Sequence, residues 1–183
     1  SDASAKALSW SVEEACKNDI KIALDINWRP TFWNPSHLPD SGPNIDELET
    51  IFPLIEKASL LKLAKEEAIW FFNTDDPQQI SRSLSKKPDV VVTDGGKPLH
   101  WFIGGFKGIM EVLAPSVVVD TTGAGDAFTA GLLNQLLTSS SIAFERKNVE
   151  QIVRFAAGCG ALVCLGPGGI DPQPTYKDVE EFI

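Results

Sequence analysis

The sequence predicts an α/β protein, with helices layered on both faces of a mostly parallel sheet. Three observations carry that prediction. Short β-branched runs such as Val90-Val91-Val92 and Val117-Val118-Val119 alternate with longer segments of helical spacing. This is the pattern of strands joined by crossover helices. One of those runs leads through a glycine turn directly into an apolar helix, the βα unit of an open sheet. Finally, 43% hydrophobic against 22% charged residues over 183 positions marks a globular chain long enough to build a core.

The elements follow in order. Ala3 to Asn18 places Ala7, Leu8, Val12 and Ala15 on one helical face. Ile20 to Ile26 reads as a strand whose carboxyl end carries Asp25, Asn27 and Arg29. Ligands of open α/β sheets bind at such ends. Pro30 to Asn44 holds four prolines and is expected to be a loop. Ile45 to Lys57 reads as a helix, Ser59 to Leu63 as a short strand, and Lys65 to Asn73 and Pro77 to Ser85 as helices. Asp89 to Asp94 is a core strand, and Leu99 to Phe106 with Gly108 to Leu113 an outer hairpin across Gly104-Gly105. Val117-Val118-Val119 is expected as a buried strand, and Ala127 to Leu133 as its helix. Val149 to Leu165 is a long apolar helix and Tyr176 to Ile183 a short one. No internal repeat or low-complexity tract interrupts this order.

Charge and cysteine content exclude several functions. Twenty-five acidic against 16 basic residues give a net charge of −9, which repels a phosphate backbone and argues against direct nucleic-acid binding. No apolar run approaches the about 20 residues that span a bilayer, so no membrane association is expected. Cys16, Cys159 and Cys164 have no metal-ligand spacing and cannot all pair, which favours a reducing compartment. His37 and His100 stand alone in the sequence and receive no role.

Asp120-Thr121-Thr122-Gly123-Ala124-Gly125-Asp126-Ala127-Phe128 is the most informative string. A strand, a glycine turn and a helix N-terminus make an anion site, because free N–H groups and the positive dipole end meet there. Glycines at 123 and 125 let that backbone approach a phosphate closely. Asp126 falls inside this site, as a helix cap or as a base aimed at a hydroxyl beside a phosphate. A base beside an anion hole is what phosphoryl transfer requires.

The string resembles the second signature of the ribokinase-like (phosphofructokinase-B type) sugar kinases, Asp-Thr-x-Gly-Ala-Gly-Asp-x-Phe. Further segments extend the resemblance. Asp25-Ile26-Asn27-Trp28-Arg29-Pro30 with Trp33 resembles the Asp-x-Asn-x-Arg-Pro…Trp segment of fructokinases, and Lys62 to Ala68 their Lys-x-Ser-x-Glu-Glu segment. Val90 to Gly96 resembles the nucleotide-side strand and turn, and Cys159-Gly160-Ala161 with Pro174-Thr175 the C-terminal nucleotide segment.

The resemblance implies a three-layer αβα sandwich. Residues 1–183 would form the C-terminal, ATP-binding and catalytic-base portion of one kinase domain, without its N-terminal part and β lid. The fragment by itself is then not expected to turn over. The implied reaction moves the ATP γ-phosphoryl group to a sugar hydroxyl. Asp126 would be the base, and the amides of Gly123, Ala124, Gly125 and Asp126 the anion hole. Thr93, Gly95 and Gly96 would border the adenosine, Gly168 would mark the nucleotide loop, and Glu67 would organise Mg²⁺ through water. Asn27 and Arg29 would meet sugar or phosphate, while Asp120 and Thr122 would hold K⁺.

Departures lie at the nucleotide end. Ala157 stands in place of an Asn, Ala64 in place of Asn or Ser, and Leu165 to Gly169 replaces a Thr-x-x-Gly-Ala loop, with Pro172 in place of a hydroxyl ligand. The alternatives are a non-catalytic fructokinase-like scaffold or regulatory protein, or a kinase for 2-keto-3-deoxygluconate, ribose or a nucleoside. Expected partners are a sugar, ATP and a second copy of the chain. The expected location is the cytoplasm, with the plastid stroma as the alternative.

Overall fold

The computed structural model describes residues 2–139 and 145–183, so Ser1 and residues 140–144 of the expected span lie outside it. The chain divides into two compact units, Ser1–Gly95 with His100–Lys107, and Gly96–Leu99 with Gly108–Ile183.

The first unit opens with α1 (Asp2–Lys17), which ends on a cation that complements its negative dipole end. Then follow β1 (Ala23–Asp25), α2 (Pro30–Trp33), α3 (Ile45–Ile55), β2 (Leu60–Ala64), α4 (Lys65–Phe72), α5 (Pro77–Ser83) and β3 (Asp89–Asp94). A hairpin of β4 (Lys97–Ile103) and β5 (Phe106–Met110) completes a five-stranded sheet in the order β1-β2-β3-β4-β5. β1, β2 and β3 run parallel, with Leu61 opposite Val90 and Leu63 opposite Val92. Two-residue connections at Gly95-Gly96 and Gly104-Gly105 can join only antiparallel neighbours, so the sheet is mixed at that edge. β2 is buried along nearly its whole length, as a parallel strand covered on both faces must be. Leu61, Leu63, Val90 and Val92 form one core with Trp28, Ile55, Ala68, Phe71, Ile80 and Leu84. That core fixes the register, since a one-residue slip would turn these four side chains to the other face.

Local chemistry sets the helix starts. Asn44 accepts the Glu47 amide while Glu47 accepts the Asn44 amide, a reciprocal capping box at α3. Asp76 accepts the Gln78 and Gln79 amides at α5, with Pro77 preset for the first helical position.

The second unit contains α6 (Ala124–Thr138), α7 (Arg146–Val163) and α8 (Tyr176–Phe182). α6 and α7 meet closely because position 131 has no side chain. A Cβ on Gly131 would lie 2.6 Å from Cys159 Sγ and 3.2 Å from Ala156 Cα. Ala127, Phe155, Cys159, Val163, Cys164 and Val179 form this unit's core. Thr175 and Asp178 form a second capping box at α8.

Three sequence expectations are corrected. Val117-Val118-Val119 is not a buried strand: its residues are 57–60% exposed and in no ladder. Its attachment is Val119 N–H donating to Cys164 O at 2.8 Å. A β-branched run becomes a strand only where another strand's edge is offered to it. The strand expected over 20–26 is a regular strand only over Ala23–Asp25. The proline-rich segment 30–44 is not all loop, because Pro30 starts the helical turn α2.

Candidate active site

In the first unit, the predicted residues gather where β1, β2 and β3 end. Asp25 and Lys62 are register partners across β1 and β2. Lys62 Nζ lies 3.0 and 3.3 Å from the two Asp25 carboxylate oxygens, with both side chains largely buried. Asp25 is therefore the charge partner that makes a buried lysine tolerable. After the last ladder bond, Ile26 N–H to Lys62 O, the chain turns through Asn27 at φ +46°. This left-handed conformation is costly for residues with a Cβ, and asparagine tolerates it better than most. Trp28 is buried with its indole N–H on Ser41 O at 2.8 Å and its ring 5.6 Å from Trp33 and 6.3 Å from Phe71. It is a packing anchor. Arg29 is exposed, and one arm of its guanidinium donates to Trp28 O at 2.9 Å.

Glu67 is buried at the third position of α4. Its Oε2 accepts the Ala64 amide at 2.7 Å and its Oε1 the Trp28 amide at 2.5 Å. Burial pushes its carboxyl above the usual range, against the opposing pull of the two amides and Lys62. Lys65 bridges Asp94 at 3.2 Å and Asp75 at 3.6 Å, and the Asp94 hydrogen bond raises its pKa. Thr93 at the end of β3 donates to Leu63 O at 3.4 Å. Gly95 takes φ +53° in the turn that follows. Gly96, which belongs to the second unit, has nothing within 4 Å of where a Cβ would lie.

In the second unit, Asp120, Thr122 and 123–126 form one continuous loop and helix start. Asp120 Oδ1 accepts the Thr122 amide at 2.9 Å and its hydroxyl at 2.8 Å. Oδ2 accepts the Gly168 amide at 2.9 Å. The Thr122 and Gly168 amides, with the Thr122 hydroxyl, hold the Asp120 carboxyl below its ordinary value. Gly123, at φ +81°, lies back to back with Gly169: a Cβ on Gly123 would sit 2.7 Å from Gly169 Cα. Gly168, at φ +74°, completes the second loop. The expected anion hole is narrower at one amide, because Ala124 N–H donates to Thr121 O at 3.2 Å. The amides of Gly125 and Asp126 have no acceptor among the described residues, as the first turn of a helix dictates. Asp126 is exposed in that turn, and its carboxylate has no partner among the described residues. A free anion there gains from the dipole and lies beside two donors suited to a second anion's oxygens.

Residue patterns miss several members. Lys62 is paired with Asp25 only through strand register. Gly169 shows its role only when it meets Gly123. His37, given no role, lies 3.0 Å from the buried Glu47. The signal for Glu67 was half present: a Glu three residues after a helix start is a capping-box pattern, but Ala64 lacks the usual hydroxyl.

The profile of the pfkB family carbohydrate kinases matches residues 2–176. The chain belongs to that family. Among curated relatives of the pfkB kinase chain, the probable chloroplastic fructokinase-6 of Arabidopsis thaliana is 31% identical over 184 residues, covering 97% of this chain and 45% of that protein. The chain spans 45% of that protein and 52% of the probable fructokinase-7 of the same plant, but 80% of its putative fructokinase-8. A fructokinase of Xylella fastidiosa with bound ATP superposes at a TM-score of 0.76 and 22% identity, over 98% of this chain and 56% of that one. A Vibrio cholerae fructokinase holding fructose, ADP and potassium gives 0.76 at 24%, over 97% and 55%. These likenesses establish the ribokinase-like αβα fold for the pfkB chain.

Proposed function

We propose that this protein is an ATP-dependent sugar kinase of the fructokinase type. The observation that carries the proposal is the Asp126 carboxylate beside the Gly125 and Asp126 amides, all three without a partner among the described residues, on a loop held by Asp120 and by the Gly123–Gly169 approach. In this reading Asp126 orients the sugar hydroxyl and takes its proton as the oxygen bonds to the γ-phosphorus of ATP and the bond to the ADP oxygen breaks. The two amides stabilise charge on the transferring group without reorganising. Arg29, exposed and with guanidinium donors to spare, binds sugar or phosphate oxygens alongside Asn27. In the first unit Thr93 and Gly95 are the residues proposed to border the nucleotide; in the second unit they are Gly96 and Gly168.

Among the described residues no three His, Cys, Asp or Glu side chains gather as a metal site. Mg²⁺ would travel with ATP, held mainly by phosphate and water, and would neutralise phosphate charge. Asp120 and Thr122 are the residues that would hold K⁺, an ion present in the Vibrio cholerae fructokinase structure. No helix among the described residues is long and apolar enough to cross a membrane. The chloroplastic relative makes the plastid stroma a location to test alongside the cytoplasm.

The experiment is ATP-dependent phosphorylation by the full-length protein, offered fructose, ribose, 2-keto-3-deoxygluconate and adenosine. Turnover preferring fructose supports the proposal. Preference for another acceptor corrects the substrate, and no turnover by folded protein overturns the kinase reading in favour of a scaffold.

A further inference from the structure

We infer that Glu67 is a positioning residue that fixes the Asn27–Arg29 segment through the Trp28 amide. The inference rests on the proposed role of Arg29 in substrate binding. Its basis is that each oxygen of the buried Glu67 carboxylate holds a backbone amide from a different segment. One oxygen takes the Trp28 amide at the exit of β1, and the other takes the Ala64 amide at the start of α4. A single buried side chain thus ties two segments that leave the sheet side by side.

Each segment depends on it. Trp28 is buried, so its N–H must find an acceptor, and the sheet no longer offers one after the Ile26 N–H bond to Lys62 O. Ala64 has no side chain that could replace Glu67 at the helix start. The indole of Trp28 is anchored separately by Ser41 and two aromatic rings, so the side chain stays while the peptide is free to rotate. Asn27, held at φ +46°, is the residue that would relax if the Trp28 amide were released. Arg29 is the next side chain along, and its guanidinium already leans on Trp28 O. Trp28 O belongs to the next peptide unit, so a turn of the Asn27–Trp28 peptide reaches the guanidinium through the φ and ψ of Trp28.

Glutamine at position 67 can accept one amide but presents an NH₂ to the other. The test uses the full-length protein with Glu67→Gln, Arg29→Ala and the double variant. Loss of a hydrogen bond to a charged group corresponds to about a ten- to hundredfold effect. The expected result is a rise of that size in sugar KM for Glu67→Gln, with the Mg²⁺ activation constant unchanged. The double variant should be no worse than Arg29→Ala, because a residue acting through another adds nothing once that other is gone. Ala64→Ser added to Glu67→Gln restores the α4 cap. It should recover thermal stability while the KM defect remains, which separates positioning from simple folding.

A shifted Mg²⁺ constant with unchanged sugar KM would overturn the inference, as would full additivity with Arg29→Ala. Hydrogen exchange decides the matter independently of turnover. In Glu67→Gln the Trp28 amide should exchange at least about tenfold faster while Val90 to Val92 stay protected, and unchanged Trp28 exchange refutes the clamp. If the unaltered protein phosphorylates nothing, the kinase reading fails and the exchange result alone decides the clamp.

Discussion

Gly123→Ala is expected to be the most damaging single-methyl change in the signature loop. Two costs add at this position. The backbone is at φ +81°, where a Cβ costs about 1–2 kcal/mol. The new methyl would also sit 2.7 Å from Gly169 Cα and 3.3 Å from Gly169 O, which are backbone atoms unable to rotate away. Such overpacking costs about 1–3 kcal/mol, so the sum is about 2–5 kcal/mol. For a chain of this size that lowers the unfolding midpoint by roughly 4–20 °C. Two other glycines isolate the terms. Gly168, at φ +74° with nothing within 4 Å of its added methyl, should lose only the conformational part when changed to Ala, about 1–2 kcal/mol. Gly96 has neither a positive φ nor a neighbour, so Gly96→Ala should fall within about 0.5 kcal/mol of the parent. The assay is thermal unfolding of the three variants side by side. Equal midpoints for Gly123→Ala and Gly168→Ala would refute the back-to-back contact of the two loops.

Two other substitutions read single interactions. Ala64→Ser supplies the missing side-chain cap at α4 and should stabilise the chain by about 0.5–2 kcal/mol in denaturant unfolding. The Asp120 carboxyl titrates below its ordinary 3.8 when folded, so between the two values the unfolded chain binds more protons. Its contribution is therefore complete above pH 3.8 and is lost as pH falls below it. Asp120→Asn should flatten the acid side of the stability profile relative to the parent. Glu67 and Asp89, whose carboxyls burial raises, work in the opposite sense and are common to both proteins, so the difference reports Asp120.

How far the sequence carries depends on whether a feature is local. β3 runs over Asp89–Asp94 as read, because a valine triplet flanked by aspartates fits a buried parallel strand and little else. The start of α4 at Lys65 was likewise legible. Val117-Val118-Val119 has similar composition but stands exposed, since composition cannot say whether a partner strand is offered. α6 begins at Ala124, three residues before its apolar face begins, because the glycine turn itself supplies the first helical residues. At the site, Asp126 and its loop came from a contiguous string. The Asp25–Lys62 pair, the Glu67–Trp28 bond and the Gly123–Gly169 contact join residues 37 to 46 positions apart. Nothing in the spacing of a single chain announces such contacts.

The proposed role of Asp126 is tested most directly by comparing Asp126→Ala with the unaltered full-length protein for phosphoryl transfer from ATP to the preferred sugar, with nucleotide affinity measured in parallel. The account predicts kcat lower by about 10²–10⁴-fold at nearly unchanged nucleotide affinity, the scale of losing a positioned general base. Turnover within a few fold of the parent would contradict it, because the free carboxylate at the start of α6 would then take no part in the chemistry.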